Sequence, residues 1–181
     1  MTSHISFISR FIRALLTTVL PVILSVQAVT GANGDEDKAG QESAVVWHTY
    51  DEAQRKATEE SKPLFIFVEA DWCIPCRQMK SEVFPRMEVS RLLNQRYYAV
   101  SIDVDSRETL EFQGETLSER AFARTKKVTS TPTMIFLEPD GTELGRRPGA
   151  ADNDELITLL KYVDSENFDK ISLEEFEKIE R

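Results

Sequence analysis

Cysteine and histidine are both scarce: 181 residues hold two of each. A zinc site needs four ligands, and past residue 28 the chain offers two thiols, Cys73 and Cys76, and one histidine, His48, so such a site would need completion by a second chain. A framework of several disulfides is excluded outright. A cysteine hydrolase needs a histidine base, and His48, alone on a strand or loop, has the marks of ordinary surface chemistry. Basic residues are also outnumbered, 22 to 31, for a net charge of −9. That balance argues against nucleic acid and anionic membranes as partners, since both call for a cationic face. A long apolar run is missing too. The candidate from Ala14 to Val26 is 13 residues, broken by Thr17, Thr18 and Pro21, against the roughly 20 of a spanning helix.

What is present begins with a leader. Residues 1–28 carry Arg10 and Arg13, no acidic residue, the apolar run, and small residues at Val26 and Ala28. This is the pattern of a secretory signal peptide cleaved after Ala28, with Ala32 as a second cleavage candidate; the alternative is an uncleaved N-terminal membrane anchor. The leader lacks the cysteine that a lipid anchor would use. Cleavage after Ala28 leaves 20 bases against 31 acids, a net −11. Export places the cysteines in an oxidising compartment, where two free thiols tend to pair. Residues 29–44, rich in Gly and charge, are expected to be a disordered spacer. Residues 45–163 form the expected domain, and 164–181 a helical tail.

Within the domain, Thr49 with Glu52 is a capping-box pattern that opens a helix to about Ser61, closed by Pro63. "PLFIFVEA" is a continuous apolar run of the kind found in strands covered on both faces. The cysteines follow at once and lead into "CRQMKSEVF", a helical pattern with Met79 and Val83 inward and Lys80 and Glu82 outward. Pro85 ends or kinks it before "MEVSRLLNQR" resumes. "YYAVSIDVD" is a second buried strand, 106–117 a surface loop without periodicity, and Ser118 to Lys127 a helix. "TMIFL", the turn "EPDG" and "TELGRR" form a hairpin. Asp152 or Asp154 then starts an amphipathic helix. The order implies an α/β fold with a central mixed sheet between helices.

A strand that delivers two cysteines to a helix start has chemical meaning. At a helix N-terminus Cys73 faces unsatisfied N–H groups and the positive end of the dipole, which favour its thiolate. Three residues on, Cys76 lies on the same face, placed to resolve a mixed disulfide. Pro75 suits a first turn because it has no N–H to lose. As a structural staple the pair would close so short a loop that chain entropy offers under about 2 kcal/mol, which leaves redox chemistry as the strongest reading.

"FVEADWCIPCRQM" and "STPTMIFLEPDG" together resemble the two signatures of the thioredoxin superfamily, the Trp-Cys-x-x-Cys motif and the cis-proline loop, in order and spacing across about residues 45–163. The resemblance implies a thioredoxin-like three-layer fold and no bound cofactor beyond the Cys73–Cys76 pair, and no metal. It implies Cys73 as attacking thiol, Cys76 as resolving thiol, Trp72 as the wall beside them, and Pro132 as the cis-proline opposite. It further implies Thr131 as the residue whose backbone pairs with a substrate peptide, and Gly149, in "PGA", as part of the substrate groove. The family's buried aspartate, six residues before the first cysteine, is absent: Phe67 stands there, and Glu69 is the nearest carboxylate able to take the resolving thiol's proton.

Ile74-Pro75 lacks the histidine found between the cysteines of DsbA and protein disulfide isomerase, which leans the expectation toward a reductase. With the leader and "ADWC", the chain is similar to exported bacterial proteins of the DsbD C-terminal-domain and SoxW groups. That similarity implies a periplasmic monomer that reduces disulfide-containing proteins and takes electrons from a membrane thiol donor of DsbD type. In the tail, "DSENFDKISLEEF" resembles a calcium loop, but Phe168 and Asp169 occupy positions that want an oxygen ligand and a glycine. A capped helix from Ser172, with Glu175 completing the box and Phe176 and Ile179 packing, explains the same letters.

Overall fold

The computed structural model describes residues 44–165 and 167–179; the expected signal peptide and all but the last residue of the spacer lie outside that range. Strand β1 is Trp47–His48, and α1, Tyr50–Glu60, follows at once. Thr49 caps α1 by accepting from the Glu52 amide at 3.3 Å. Only half of the expected box forms, because the Glu52 carboxylate pairs instead with Lys56 at 2.8 Å and lies 3.4 Å from His48.

Strand β2, Leu64–Glu69, is buried along its whole length. Period-two alternation sends Leu64, Ile66 and Val68 to one face of the sheet and Phe65, Phe67 and Glu69 to the other. Helix α2, Ile74–Gln78, continues into a π-helical turn, Met79–Val83, and α3 is Met87–Arg96. β3 is Tyr98–Asp103, α4 Glu119–Thr125, β6 Thr133–Leu137, β7 Glu143–Pro148 and α5 Asn153–Val163.

The sheet order is β1-β3-β2-β6-β7. β1, β3 and β2 run parallel, while β6 and β7 are antiparallel to their neighbours. The two faces bury separate clusters. One gathers Phe65, Phe67, Met79, Phe84, Leu93, Met134 and Leu160 with both cysteines; the other gathers Tyr50, Ile66, Val100, Phe122 and Ile135. Each buried aromatic or aliphatic side chain contributes about 1.5–3 kcal/mol, so helices cover the sheet on both sides and the fold is the expected thioredoxin-like one. Asp152 caps α5 with a full capping box: its side chain accepts from the Glu155 amide at 2.9 Å while Glu155 accepts from the Asp152 amide at 3.1 Å.

Two expectations are corrected. Residues 106–117 contain a hairpin, β4 Thr109–Phe112 and β5 Glu115–Ser118, rather than an unstructured loop. Gln113 and Gly114 form its two-residue turn with φ of +52° and +84°, the left-handed pair that joins short hairpins, and Leu110 and Phe112 insert into the second cluster. In the tail, α6, Leu173–Ile179, is capped by Ser172 and Glu175 as expected, and Phe176 is buried, but Ile179 is 66% exposed. Among the described residues no helix is long and apolar enough to cross a membrane.

Candidate active site

The chain leaves β2 at Glu69 and turns sharply, the Cys73 amide donating to the Ala70 carbonyl at 3.0 Å. Cys73 is the N-cap of α2, with extended backbone (φ −76°, ψ 102°), and its sulfur accepts from the Cys76 amide at 3.2 Å. An N-cap side chain satisfies one of the four amides that a helix leaves without partners. Here the acceptor is the reactive sulfur itself. The two sulfurs are bonded at 2.02 Å with Cα atoms 5.3 Å apart, so this is the oxidised state. Cys76 is fully enclosed and Cys73 retains 2% exposure. An approaching group therefore meets Cys73 first.

Trp72 and Ile74 flank the disulfide and are 66% and 61% exposed. The Trp72 indole is held: its Nε1 donates to Asp105 Oδ2 at 2.9 Å, and Arg120 stands 3.7 Å from Asp105 Oδ1. Across the site, the Thr131–Pro132 peptide is cis. The β2–β6 register pairs Val68 with Thr133, which brings Pro132 level with the end of β2 where the cysteine turn begins. The Gly149 amide donates to the Pro132 carbonyl at 2.8 Å, with Gly149 at φ +88°. A Cβ would meet nothing within 4 Å there, so it is the left-handed backbone, not crowding, that asks for glycine. The Thr131 hydroxyl is buried and has no hydrogen-bond partner among the described residues.

Phe67 is fully buried and packs edge-on against Phe84, ring centroids 4.9 Å apart. Glu69, two residues on and on the same face, is the carboxylate that lies beneath this helix. It is 8% exposed, accepts from the Ser101 hydroxyl at 2.5 Å, and is ion-paired with Lys80. Lys80 is exposed, as its place on the helix predicts, and its ammonium reaches back to Glu69. The helix closes on the π-helical turn: the Phe84 amide reaches back five residues to the Met79 carbonyl at 2.9 Å, and Pro85 has no N–H with which to continue the helix. Nearby, Glu119 accepts from the Asp103 amide at 3.1 Å. Burial pushes the Glu119 carboxyl above the usual range, against the lowering effect of that hydrogen bond and one from Ser106.

The structure thus brings Cys73, Cys76, Trp72, Glu69, Thr131, Pro132 and Gly149 to one end of the sheet. The sequence reading missed Lys80, Ser101 and Asp105. Ser101 carried a signal, a polar residue set between Val100 and Ile102 in "YAVSID" and the register partner of Phe67. Among the described residues no group of three or more His, Cys, Asp or Glu is placed to hold a metal.

The family model of the thioredoxin-like domain matches residues 50–164. Over 64 residues the chain is 38% identical to mouse Spermatogenesis-associated protein 20, covering 35% of this chain and 8% of that protein. Over 107 residues it is 29% identical to the Thiol:disulfide interchange protein DsbD of Cronobacter sakazakii, covering 58% of this chain and 17% of that one. The chain therefore spans less than a fifth of either relative. A thioredoxin from Thermus thermophilus superposes with a TM-score of 0.55 at 29% identity, over 66% of this chain and 87% of that one. The family match runs through every strand after β1, both cysteines and Pro132, and the chain belongs to the thioredoxin-like domain family, an oxidoreductase fold with a redox-capable cysteine pair.

Proposed function

We propose that this protein is an exported thiol:disulfide oxidoreductase that reduces disulfides of partner proteins, working as a periplasmic monomer. The observation that carries the reading is the position of Cys73 as helix cap, its sulfur receiving the Cys76 amide. The same amide and the helix dipole favour the thiolate once the disulfide is opened. The cycle balances without a cofactor. The Cys73 thiolate attacks one sulfur of the partner's disulfide, and the partner's other sulfur leaves and takes a proton. Cys76 then loses its proton and attacks Cys73, forming the Cys73–Cys76 disulfide and releasing the second partner thiol. Two electrons and two protons pass to the partner, and a dithiol donor must return them. The likeness to DsbD, a thiol:disulfide interchange protein, supports a membrane thiol donor of that kind.

Glu69 is the proposed acceptor for the Cys76 proton, because it is the buried carboxylate on the helix-covered face where Phe67 leaves no acid. Ser101, which donates to it, also lines a surface pocket with Trp47, His48 and Glu119. Trp72 and Ile74 supply apolar contact for a docking peptide, and the backbone of Thr131 pairs with it.

Reduction of insulin disulfides in the presence of dithiothreitol tests the activity. The wild-type protein is expected to accelerate it, and Cys73→Ser to match buffer alone. No acceleration by the wild type would leave a binding module of thioredoxin-like fold. A reduction potential near the roughly −120 mV of DsbA would replace the reductase by an oxidase.

A further inference from the structure

The stretch 120–137, which ends in the cis-proline loop and β6, has no acidic residue in a chain with 31 of them, and carries Arg120, Arg124, Lys126 and Lys127. Three of the neighbouring cations are committed elsewhere. Arg120 faces Asp105. Lys126 and Arg146 share Glu143, at 3.5 and 2.5 Å, and Arg146 donates to the Lys126 carbonyl at 2.6 Å, tying the end of α4 to β7. Arg124 and Lys127 are exposed, and neither has a carboxylate partner among the described residues. Lys127 is also in an unusual place. The Val128 amide donates to the Ala123 carbonyl at 2.9 Å and the Lys127 amide to the Arg124 carbonyl at 2.8 Å, the two bonds of a Schellman motif. Lys127 therefore occupies the left-handed position, φ +53°, that glycine or asparagine normally fills. A long cation held there at a conformational cost points to a use for it. The bland account, a cation answering the helix dipole, suits Arg124 inside the last turn better than Lys127 beyond it.

Lys127 stands four positions before Thr131, so their Cα atoms are at most about 14 Å apart. A peptide lying along the cis-proline loop would come within reach of Lys127 about four residues from its reacting cysteine, and Arg124 stands three positions earlier in the last turn of α4. We propose that Arg124 and Lys127 form a cationic shoulder to the substrate groove, and that the preferred partner carries acidic side chains within about four residues of its disulfide. This rests on the reductase reading above. The protein's overall negative charge repels acidic surfaces elsewhere, so the shoulder would orient the partner as well as attract it, an effect expressed in the association rate.

The test compares two peptide disulfides, identical except that residues flanking one cysteine are Asp and Glu in one and Asn and Gln in the other. The reduced protein should react about threefold to tenfold faster with the acidic peptide at low ionic strength, and the advantage should vanish near 0.5 M salt, where the screening length falls toward a few ångströms. Lys127→Gly, which suits the left-handed position, combined with Arg124→Gln should remove the preference, and Arg124→Glu with Lys127→Glu should invert it. Neutral hydroxyethyl disulfide should react equally with all forms. Equal peptide rates with hydroxyethyl disulfide still reduced would overturn the shoulder alone; failure to reduce any of the three would overturn the reductase reading itself.

Discussion

Glu69 shows how a site can move by two residues and keep its chemistry within reach. The strand face beneath the cysteine helix is occupied at position 67 by an aromatic ring packed against Phe84, and no acid fits there. The next residue on that face is Glu69, held by Ser101 and Lys80. Glu69→Gln keeps size and one acceptor but removes the base, and should slow disulfide exchange at neutral pH about tenfold or more, measured by stopped-flow fluorescence; an unchanged rate would assign the proton elsewhere. Its partners were hidden from sequence for physical reasons. Lys80 lies eleven residues on and across the cysteine turn from Glu69, and Ser101 comes into place through strand register, so neither pairing can be read from sequence distance.

A second residue makes a pH prediction. Burial raises the Glu119 carboxyl, so the folded state keeps a proton that an unfolded glutamate, with pKa about 4.3, has already shed. Over the window from about 4.3 up to the raised folded value the folded state binds more protons, and stability falls as pH rises; the loss is complete above that value. Glu119→Gln should flatten the thermal-unfolding profile across that window while keeping an acceptor for the Asp103 amide. Parallel profiles for the two proteins would remove this carboxyl from the stability balance.

Among the elements, the hairpin between β3 and α4 is the one the sequence hid. Its strands are four residues each, and the surrounding charges blur the alternation of Leu110 and Phe112 with Thr109 and Glu111. The turn was legible in hindsight, since a residue followed by glycine between two short alternating runs is a hairpin signal. Its weight lies in Phe112, 5% exposed, whose ring meets Tyr50 and Phe122 with centroids 6.0 and 5.1 Å away. Phe112→Ala should cost about 3–5 kcal/mol in denaturant unfolding, with the exchange rate of the folded protein kept. A loss below about 1 kcal/mol would mean that the hairpin is an ornament on an independent core. The strands and helices that were read correctly are those with strong local signals: unbroken apolar runs at β2 and β6, and caps at Thr49, Ser118 and Asp152.

At the scale of the whole molecule, the fold was legible because its two halves each announce themselves. The strand-to-cysteine turn and the proline-to-hairpin segment are both local in sequence, and the antiparallel β2–β6 pairing brings them together. What sequence could not supply was the set of side chains brought in from other elements to serve that junction. The account's central claim concerns the junction itself: Cys73 attacks and Cys76 resolves. Mass spectrometry of the reduced protein mixed with a peptide disulfide tests it most directly. The wild type should yield reduced peptide and the internal disulfide, Cys76→Ser should stop with the peptide bonded to Cys73, and Cys73→Ser should yield neither. A peptide adduct on Cys76, or reduction that survives Cys73→Ser, would contradict it.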